Sequence, residues 1–327
     1  MVDVYSLGEV MLRLSPPRYE RLRRARSLDI VVAGAQLNVV ANLARFGVSA
    51  GFISKLPDNE LGLLARDMCM SYGVDMTHVP LEPDTRMGIN FLEFPQTPRT
   101  PIAIFDRKHS AASTLAAADF DWGAILRGAK WAHTDGIVPG LSQNTLEATK
   151  AYLQTARVLG LKTSFDVNYR EHLWTPERAR QVWAELLPLV DVVVTNRGVS
   201  ELVFGITGSD EDVAQQYAER FACELVAVTK REMFGLERGA WSSIAVHRGE
   251  LFTGKHFEFN IVDRYGTGDV FCAGLIYGLL RENAAFALNF ANAACALSHT
   301  IEGDIAHMRA EEVLPLLNNT VDLRVKR

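Results

Sequence analysis

The sequence predicts an α/β protein with a mostly parallel central sheet, helices on both of its faces and a small β lid. Two observations carry that expectation. Short β-branched runs alternate with stretches of helical apolar spacing along most of the chain, and such alternation builds a parallel sheet through helical crossovers. Residues 11–33 and 86–108 break the alternation as extended segments, and they are read as the lid. At 327 residues the chain can bury a substantial core, and no Ser/Gly-rich linker or repeat divides it, so residues 1–327 are read as one domain carrying that lid.

In chain order, strands are expected in "VDVYSLGEV", "SAGFISKL", "KWAHTDGI", "KTSFDVN", "DVVVTN" and "ELVAVTK". Helices are expected in "ELGLLARDMCMSYG", "QNTLEATKAYLQTARVLG", "TPERARQVWAELLPLV" and "DEDVAQQYAERFA". The third has a clear start, with Thr175 as N-cap, Pro176 at the first helical position and Glu177 in the first turn. An apolar helix is read from Asn38 and another over "VFCAGLIYGLL". Within the lid, a Pro-rich turn from Pro95 to Pro101 separates two alternating runs.

Composition removes several classes of function. Lys and Arg total 34 against 39 Asp and Glu, a net charge of -5 that argues against nucleic acid as a main partner. The one basic cluster, "RYERLRRAR" at residues 18–26, reads as solvated surface rather than a phosphate patch. Cys69, Cys223, Cys272 and Cys295 stand singly, so neither a disulfide framework nor a zinc site is expected, and they read as buried thiols of a reducing compartment. The opening "VDVYSLGEVML" lacks a signal-peptide layout and no uncharged apolar run approaches membrane-spanning length, which places the expected location in the cytoplasm. The eight histidines are dispersed, and no metal-ligating set is assigned.

Chemistry concentrates in "DRYGTGDVF", residues 263–271. Glycines at 266 and 268 allow a ligand close to the backbone, and a helix starting there would leave the N–H groups of Gly266, Thr267, Gly268 and Asp269 free to cradle anionic oxygens. The lysine of a GxxxxGK[ST] loop is absent, which disfavours a P-loop NTPase. The helix dipole and nearby donors are expected to favour ionised Asp269, which would take a proton from an attacking hydroxyl while the cradle stabilises phosphoryl charge. Taken alone, the four letters GTGD fit a glycine turn with an Asp cap equally well.

A second stretch, "AGAQLNVVANLARFGVSAGFISKLPDNELG" at residues 33–62, changes that balance. With "DRYGTGDVFCAG" it resembles the two signature regions of the PfkB-type carbohydrate kinases, the ribokinase-like family, in the right order and over nearly the whole chain. The resemblance implies a three-layer α/β/α fold, Asp269 as catalytic base and Gly266, Thr267 and Gly268 as an anion hole. "GEVMLRLSPP", "IFDRKHSAAS", "DVNYREHLW" and "SHTIEGD" are similar to the 2-keto-3-deoxygluconate kinases within that family, which implies a sugar acid phosphorylated by ATP at its terminal hydroxyl.

On that resemblance Arg107 and Arg170 would bind the substrate carboxylate, a task that suits a planar guanidinium. Gly34 would admit the sugar to the backbone, and Asn38 and Asp304 would hydrogen-bond its hydroxyls. Asn38 is equally a helix cap, and Asp304 a turn residue. Asn168, Asn196, Thr229, Lys230 and Asn292 match positions near the nucleotide, with Mg²⁺ held largely by phosphates and water. Three departures stand out: Val199 where the family commonly has Glu, with Glu201 displaced; Asn90 on the lid strand where the keto-deoxygluconate kinases often have Tyr; and "VTKREMFG" in place of a glycine-rich strand end. A kinase of a neutral ketose such as fructose or ribose, or a non-catalytic sensor on the same scaffold, remains a rival reading. An apolar lid hairpin exposed on one face implies a homo-oligomer through the lid.

Overall fold

The structure, a computed structural model, describes residues 1–318. The chain begins β1 (Val4–Leu7), β2 (Met11–Ser15), β3 (Asp29–Ala33), α1 (Ala35–Arg45), β4 (Ala50–Ile53), β5 (Leu56–Pro57), α2 (Glu60–Ser71), β6 (Asp75–His78), β7 (Leu81–Glu82), β8 (Gly88–Glu93) and β9 (Ile102–Asp106). It continues α3 (Trp122–Leu126), β10 (Trp131–Asp135), α4 (Gln143–Val158), β11 (Lys162–Asp166), α5 (Pro176–Leu186), β12 (Val192–Thr195), α6 (Arg197–Phe204) and α7 (Asp210–Phe221). Last come β13 (Leu225–Met233), β14 (Arg238–His247), β15 (Glu250–Thr253), β16 (Phe257–Asn260), α8 (Thr267–Arg281), α9 (Ala284–Ser298) and α10 (Ala310–Leu317).

Strands β6, β4, β1, β10, β11, β12 and β13 lie side by side, all parallel, and β14 extends them antiparallel with β15 and β16 paired to it. Alternation along the inner strands feeds two cores. Val192, Val194, Leu225 and Ala227 join the apolar side chains of α1, α8 and α9, whereas Val193, Val226 and Val228 join those of α4, α5 and α7. Both faces of the sheet are therefore covered, as a parallel sheet requires, and the architecture is a three-layer α/β/α sandwich. A second sheet, ordered β3-β2-β8-β9, draws its strands from residues 11–33 and 86–108.

Local chemistry sets several helix ends. Thr175 caps α5 by accepting from Arg178 N at 3.3 Å, with Pro176 first in the helix, and Ser142 caps α4 by accepting from Thr145 N at 3.2 Å. The helix read from Asn38 starts earlier, at Ala35, because Gly34 takes the N-cap position. Residues 238–260, which show no strong β-branched run, form the antiparallel extension.

The N-terminal end of α8 is fixed by how that helix packs. A Cβ at Gly278 would lie 2.2 Å from the Ala287 Cα, and one at Gly274 would lie 2.7 Å from the Ala291 Cα. Small residues thus bring α8 and α9 into backbone contact, and the N-terminus of α8 is held by the body of the protein. Cys69, Cys223, Cys272 and Cys295 are free and buried. Among the described residues no helix is long and apolar enough to cross a membrane.

Candidate active site

A cleft of about 880 Å³ opens where β11, β12 and β13 end and α8 begins, the usual ligand position in an open α/β sheet. Gly266, Thr267, Gly268 and Asp269 line it, together with Asn168 and Arg170 after β11, Asn196 after β12, and Thr229 and Lys230 on β13. Pro101, from the turn between β8 and β9, also reaches this cleft.

The turn before α8 demands glycine at one position for two reasons. Gly266 has φ 71°, in the left-handed region, and a Cβ there would sit 2.1 Å from the carbonyl oxygen of Asp304. The first helical amide to find a backbone acceptor is Val270 N, 3.0 Å from Gly266 O. The N–H groups of Thr267, Gly268 and Asp269 have no acceptor among the described residues, and a Cβ at Gly268 would meet only open space. Unpaired amides beside an open volume are an arrangement able to receive anionic oxygens.

Asp269 accepts a hydrogen bond from Asn38 Nδ2 at 2.7 Å. Asn38 is 2 % exposed and is itself oriented by Gly34 N, which donates to its Oδ1 at 3.4 Å. The expectation that the helix start favours ionised Asp269 is corrected here. Burial pushes its carboxyl well above the ordinary carboxylate range, and the charges of Asp166 and Asp135 push the same way, against the Asn38 hydrogen bond and the Arg170 charge. Desolvation and two like charges outweigh the dipole.

Asp135 and Asp166 are not marked by the sequence, because each is a lone acid at the end of its strand, in WAHTD and KTSFD, and only the fold brings the two together. Burial raises Asp135 to about 6, and burial with the Asp135 charge raises Asp166 to about 7. Both shape the loop that carries Arg170. Asn168, at φ 26°, donates through Nδ2 to Asp135 Oδ2 at 2.9 Å and through its backbone N to Asp166 Oδ1 at 3.2 Å. The amide of Asn168 thus holds the loop. The Arg170 guanidinium donates to Tyr169 O at 3.1 Å and makes no carboxylate ion pair among the described residues.

Arg107 is placed differently. It is 5 % exposed, off the cleft lining, and ion-paired with buried Glu9, which also accepts from Ser110 Oγ at 3.1 Å. Its Nη1 lies 3.4 Å from His172 Nε2, and that ring stacks on Phe105 with centroids 4.4 Å apart. Burial, then the charges of Arg107 and Arg170, depress the His172 pKa, so both arginines act on one imidazole. Gly34 is needed by the chain's own packing, since a Cβ there would lie 2.1 Å from Glu9 O. Asn90, on β8, has a buried Oδ1 with no hydrogen-bond partner among the described residues. Asp304 does not line the cleft, and its carboxylate is 2.6 Å from Arg13 Nη1.

At the ends of β12 and β13, Asn196 Oδ1 caps α6 by accepting from Val199 N at 3.0 Å. Thr229 Oγ1 donates to Thr195 O at 3.2 Å, and Lys230 pairs with Glu232 at 2.9 Å. Val199 lines the cleft, whereas Glu201 is exposed on α6 and does not. Asn292 is not brought to the cleft. It is fully buried in α9, accepting from Ser243 Oγ at 2.7 Å and donating to Lys255 O at 2.9 Å. Among the described residues no group of three or more His, Cys, Asp or Glu is arranged to hold a metal.

An anion cradle at a helix start, in the crevice beyond the strand ends of an open sheet, defines a phosphate-handling α/β protein. Comparison with known proteins places it more closely: the model of the pfkB family carbohydrate kinases matches residues 1–310. The chain belongs to that family and is a carbohydrate kinase. It is 37 % identical over 312 residues to a 2-dehydro-3-deoxygalactonokinase of Haloferax volcanii, covering 95 % of each chain. It is 29 % identical to a 2-dehydro-3-deoxygluconokinase of Bacillus subtilis, covering 96 % of this chain and 94 % of that one. A crystal structure of a 2-dehydro-3-deoxygluconokinase from Thermotoga maritima superposes with a TM-score of 0.92 at 36 % identity, covering 97 % of this chain and 100 % of that one.

Proposed function

We propose that this kinase transfers the γ-phosphoryl group of ATP to the terminal hydroxyl of a 2-keto-3-deoxy sugar acid, with 2-keto-3-deoxygluconate the leading candidate. The observation that carries the reading is the meeting, in one cleft, of the Asp269 carboxyl, the amides of its turn and Arg170, the amides having no acceptor and Arg170 no carboxylate partner among the described residues. The names of the similar proteins point to the same substrate class.

Asp269 acts as the base. As the sugar oxygen bonds to phosphorus and the bond to the ADP oxygen breaks, the hydroxyl proton passes to an Asp269 oxygen. A carboxylate with a raised pKa is the better acceptor at neutral pH. Asn38 holds that carboxylate in place, and the amides of Gly266, Thr267 and Gly268 stabilise phosphoryl charge. Arg170 takes the substrate carboxylate, with Arg107 joining only where the sugar acid competes with Glu9. Gly34, Asn90 and Asp304 would complete the sugar end; Gly34 packs on Glu9 O, Asn90 pairs with Arg13 across β8 and β2, and Asp304 is held by Arg13. Asn196, Thr229 and Lys230 would hold the nucleotide, and Asn292 supports the fold beneath it. With no protein cluster to hold a metal among the described residues, Mg²⁺ would arrive on the nucleotide phosphates.

The small sheet serves as a lid, since its turn reaches the cleft through Pro101; closing it would exclude water from the transfer. Exposed Ile102, Ile104 and Phe105 on its outer strand fit a homo-oligomer formed through the lid, and four free thiols fit a reducing, cytoplasmic setting. The test is a coupled ADP-release assay with ATP and Mg²⁺ over 2-keto-3-deoxygluconate, its galactonate epimer, gluconate, fructose and ribose. Turnover confined to the keto-deoxy acids is expected. Turnover on a neutral sugar would reject the substrate class, and none on any sugar would favour a binding protein on this scaffold.

A further inference from the structure

We propose that Arg13, on strand β2 of the small sheet, is a positioning residue that sets the anion-cradle turn and so couples the lid to the phosphoryl-transfer site. The inference rests on reading Gly266 to Gly268 as the anion hole. Arg13 is 3 % exposed, and its guanidinium meets two carboxylates from opposite sides of that turn: Asp304 at 2.6 Å and Asp263 at 3.7 Å. The guanidinium carbon also lies 5.6 Å from the centre of the Phe94 ring and 5.7 Å from that of Tyr265.

Each carboxylate is tied to the main chain that forms the turn. Asp263 Oδ1 accepts from Arg264 N at 2.7 Å and Tyr265 N at 3.1 Å, and its Oδ2 accepts from Gly303 N at 3.0 Å. The Asp304 carbonyl oxygen fills the place a Cβ on Gly266 would need. The backbone entering the cradle and the backbone lying beneath it are therefore clamped through one cation. Arg18 braces the same region, donating to Glu302 at 3.1 Å and to Val262 O at 2.8 Å.

Removing the cation leaves two buried carboxylates facing each other. Asp304 already sits at about 6, raised first by burial and further by Asp263, with the Arg13 charge opposing both. Without Arg13 the pair must take up a proton or move apart, and movement carries the Gly303 and Asp304 backbone away from Gly266. Lysine cannot replace the fork, because one ammonium neither spans both carboxylates nor stacks between two rings. Arg13 is also the cross-strand partner of Asn90 on β8, so a shift of the small sheet reaches the turn through this side chain.

The test is Arg13→Ala, assayed with whichever sugar the wild-type enzyme turns over, alongside amide hydrogen exchange of residues 264–268. A fall in kcat of about 10- to 100-fold is expected, as for a displaced transition-state donor. Sugar KM should change by less than about threefold, exchange at the turn should quicken, and millimolar guanidinium should restore part of kcat by filling the vacated site. Arg13→Lys should fall between the two. A folded Arg13→Ala enzyme with wild-type kcat, or a loss confined to KM, overturns the proposal. If the alanine variant does not fold, Arg13→Lys decides in the same way. If the wild-type enzyme turns over no sugar, the exchange data decide: unchanged protection of residues 264–268 in the variant counts against the clamp whatever the substrate.

Discussion

Strands β12 and β9 are both short and apolar, yet every residue of β12 is buried and every residue of β9 is exposed. Position in the fold makes the difference. Strand β12 lies within the parallel sheet with helices on both faces, while β9 is the outer strand of the small sheet. The first kind of strand carries the fixed chemistry: the cleft, the carboxylates behind it and, through α8 and α9, Asp269. The small sheet that β9 borders carries Asn90 on β8, and its β8–β9 turn brings Pro101 to the cleft.

The contrast is broken most severely from within the central sheet. Leu7 on β1 is fully buried, and Leu7→Ala should cost about 2–5 kcal/mol in chemical denaturation, a large share of a typical domain's total stability. A smaller but more selective loss is expected at the cleft. Arg170→Gln should lower kcat/KM for a keto-deoxy sugar acid by about 100-fold, the scale of a charge-assisted contact of roughly 1.5–3 kcal/mol. Any turnover of a neutral sugar should change only a few-fold. The matching Arg107 variant should lose less selectivity and more stability, because it strands buried Glu9. An equal loss on both sugars would remove the carboxylate role from Arg170. Smallest in stability is Ile104→Asp on β9, where Ile104 is 52 % exposed. It should alter unfolding by no more than about 0.5 kcal/mol yet lower the assembly state seen by light scattering. An unchanged assembly would take the lid edge out of the oligomer contact.

Sequence reading reached the features that local chemistry writes. Thr175 and Pro176 announce α5 within a few letters, and the glycine turn with its aspartate marks the start of α8. Features made by distant residues were illegible. Glu9 meets Arg107 across 98 residues, and nothing near Glu9 marks it as the acid that neutralises a predicted substrate contact. Asp269 misled for the same reason: its neighbours in sequence favour ionisation, whereas burial by the folded chain, and after it the charges of Asp166 and Asp135 brought by two other strands, oppose it. The β14 to β16 extension escaped because its strands are partly exposed and interleave Ser, Arg and Glu with their apolar residues. At Asn292, resemblance suggested a nucleotide contact and packing supplied a buried structural amide.

The most direct test of the account is Asp269→Asn, followed by turnover and by thermal unfolding across pH. A carboxyl whose pKa is raised on folding favours the native state at low pH, and that contribution is lost as pH rises through the folded value. The variant should therefore melt above the wild type at pH 8, and the gap should close as the pH is lowered. Its kcat/KM should fall by about 10²–10⁴-fold, and the wild type should show an acid limb above the ordinary carboxylate pKa of about 4. A folded Asp269→Asn enzyme that keeps near-wild-type turnover would contradict the role of Asp269 as the base.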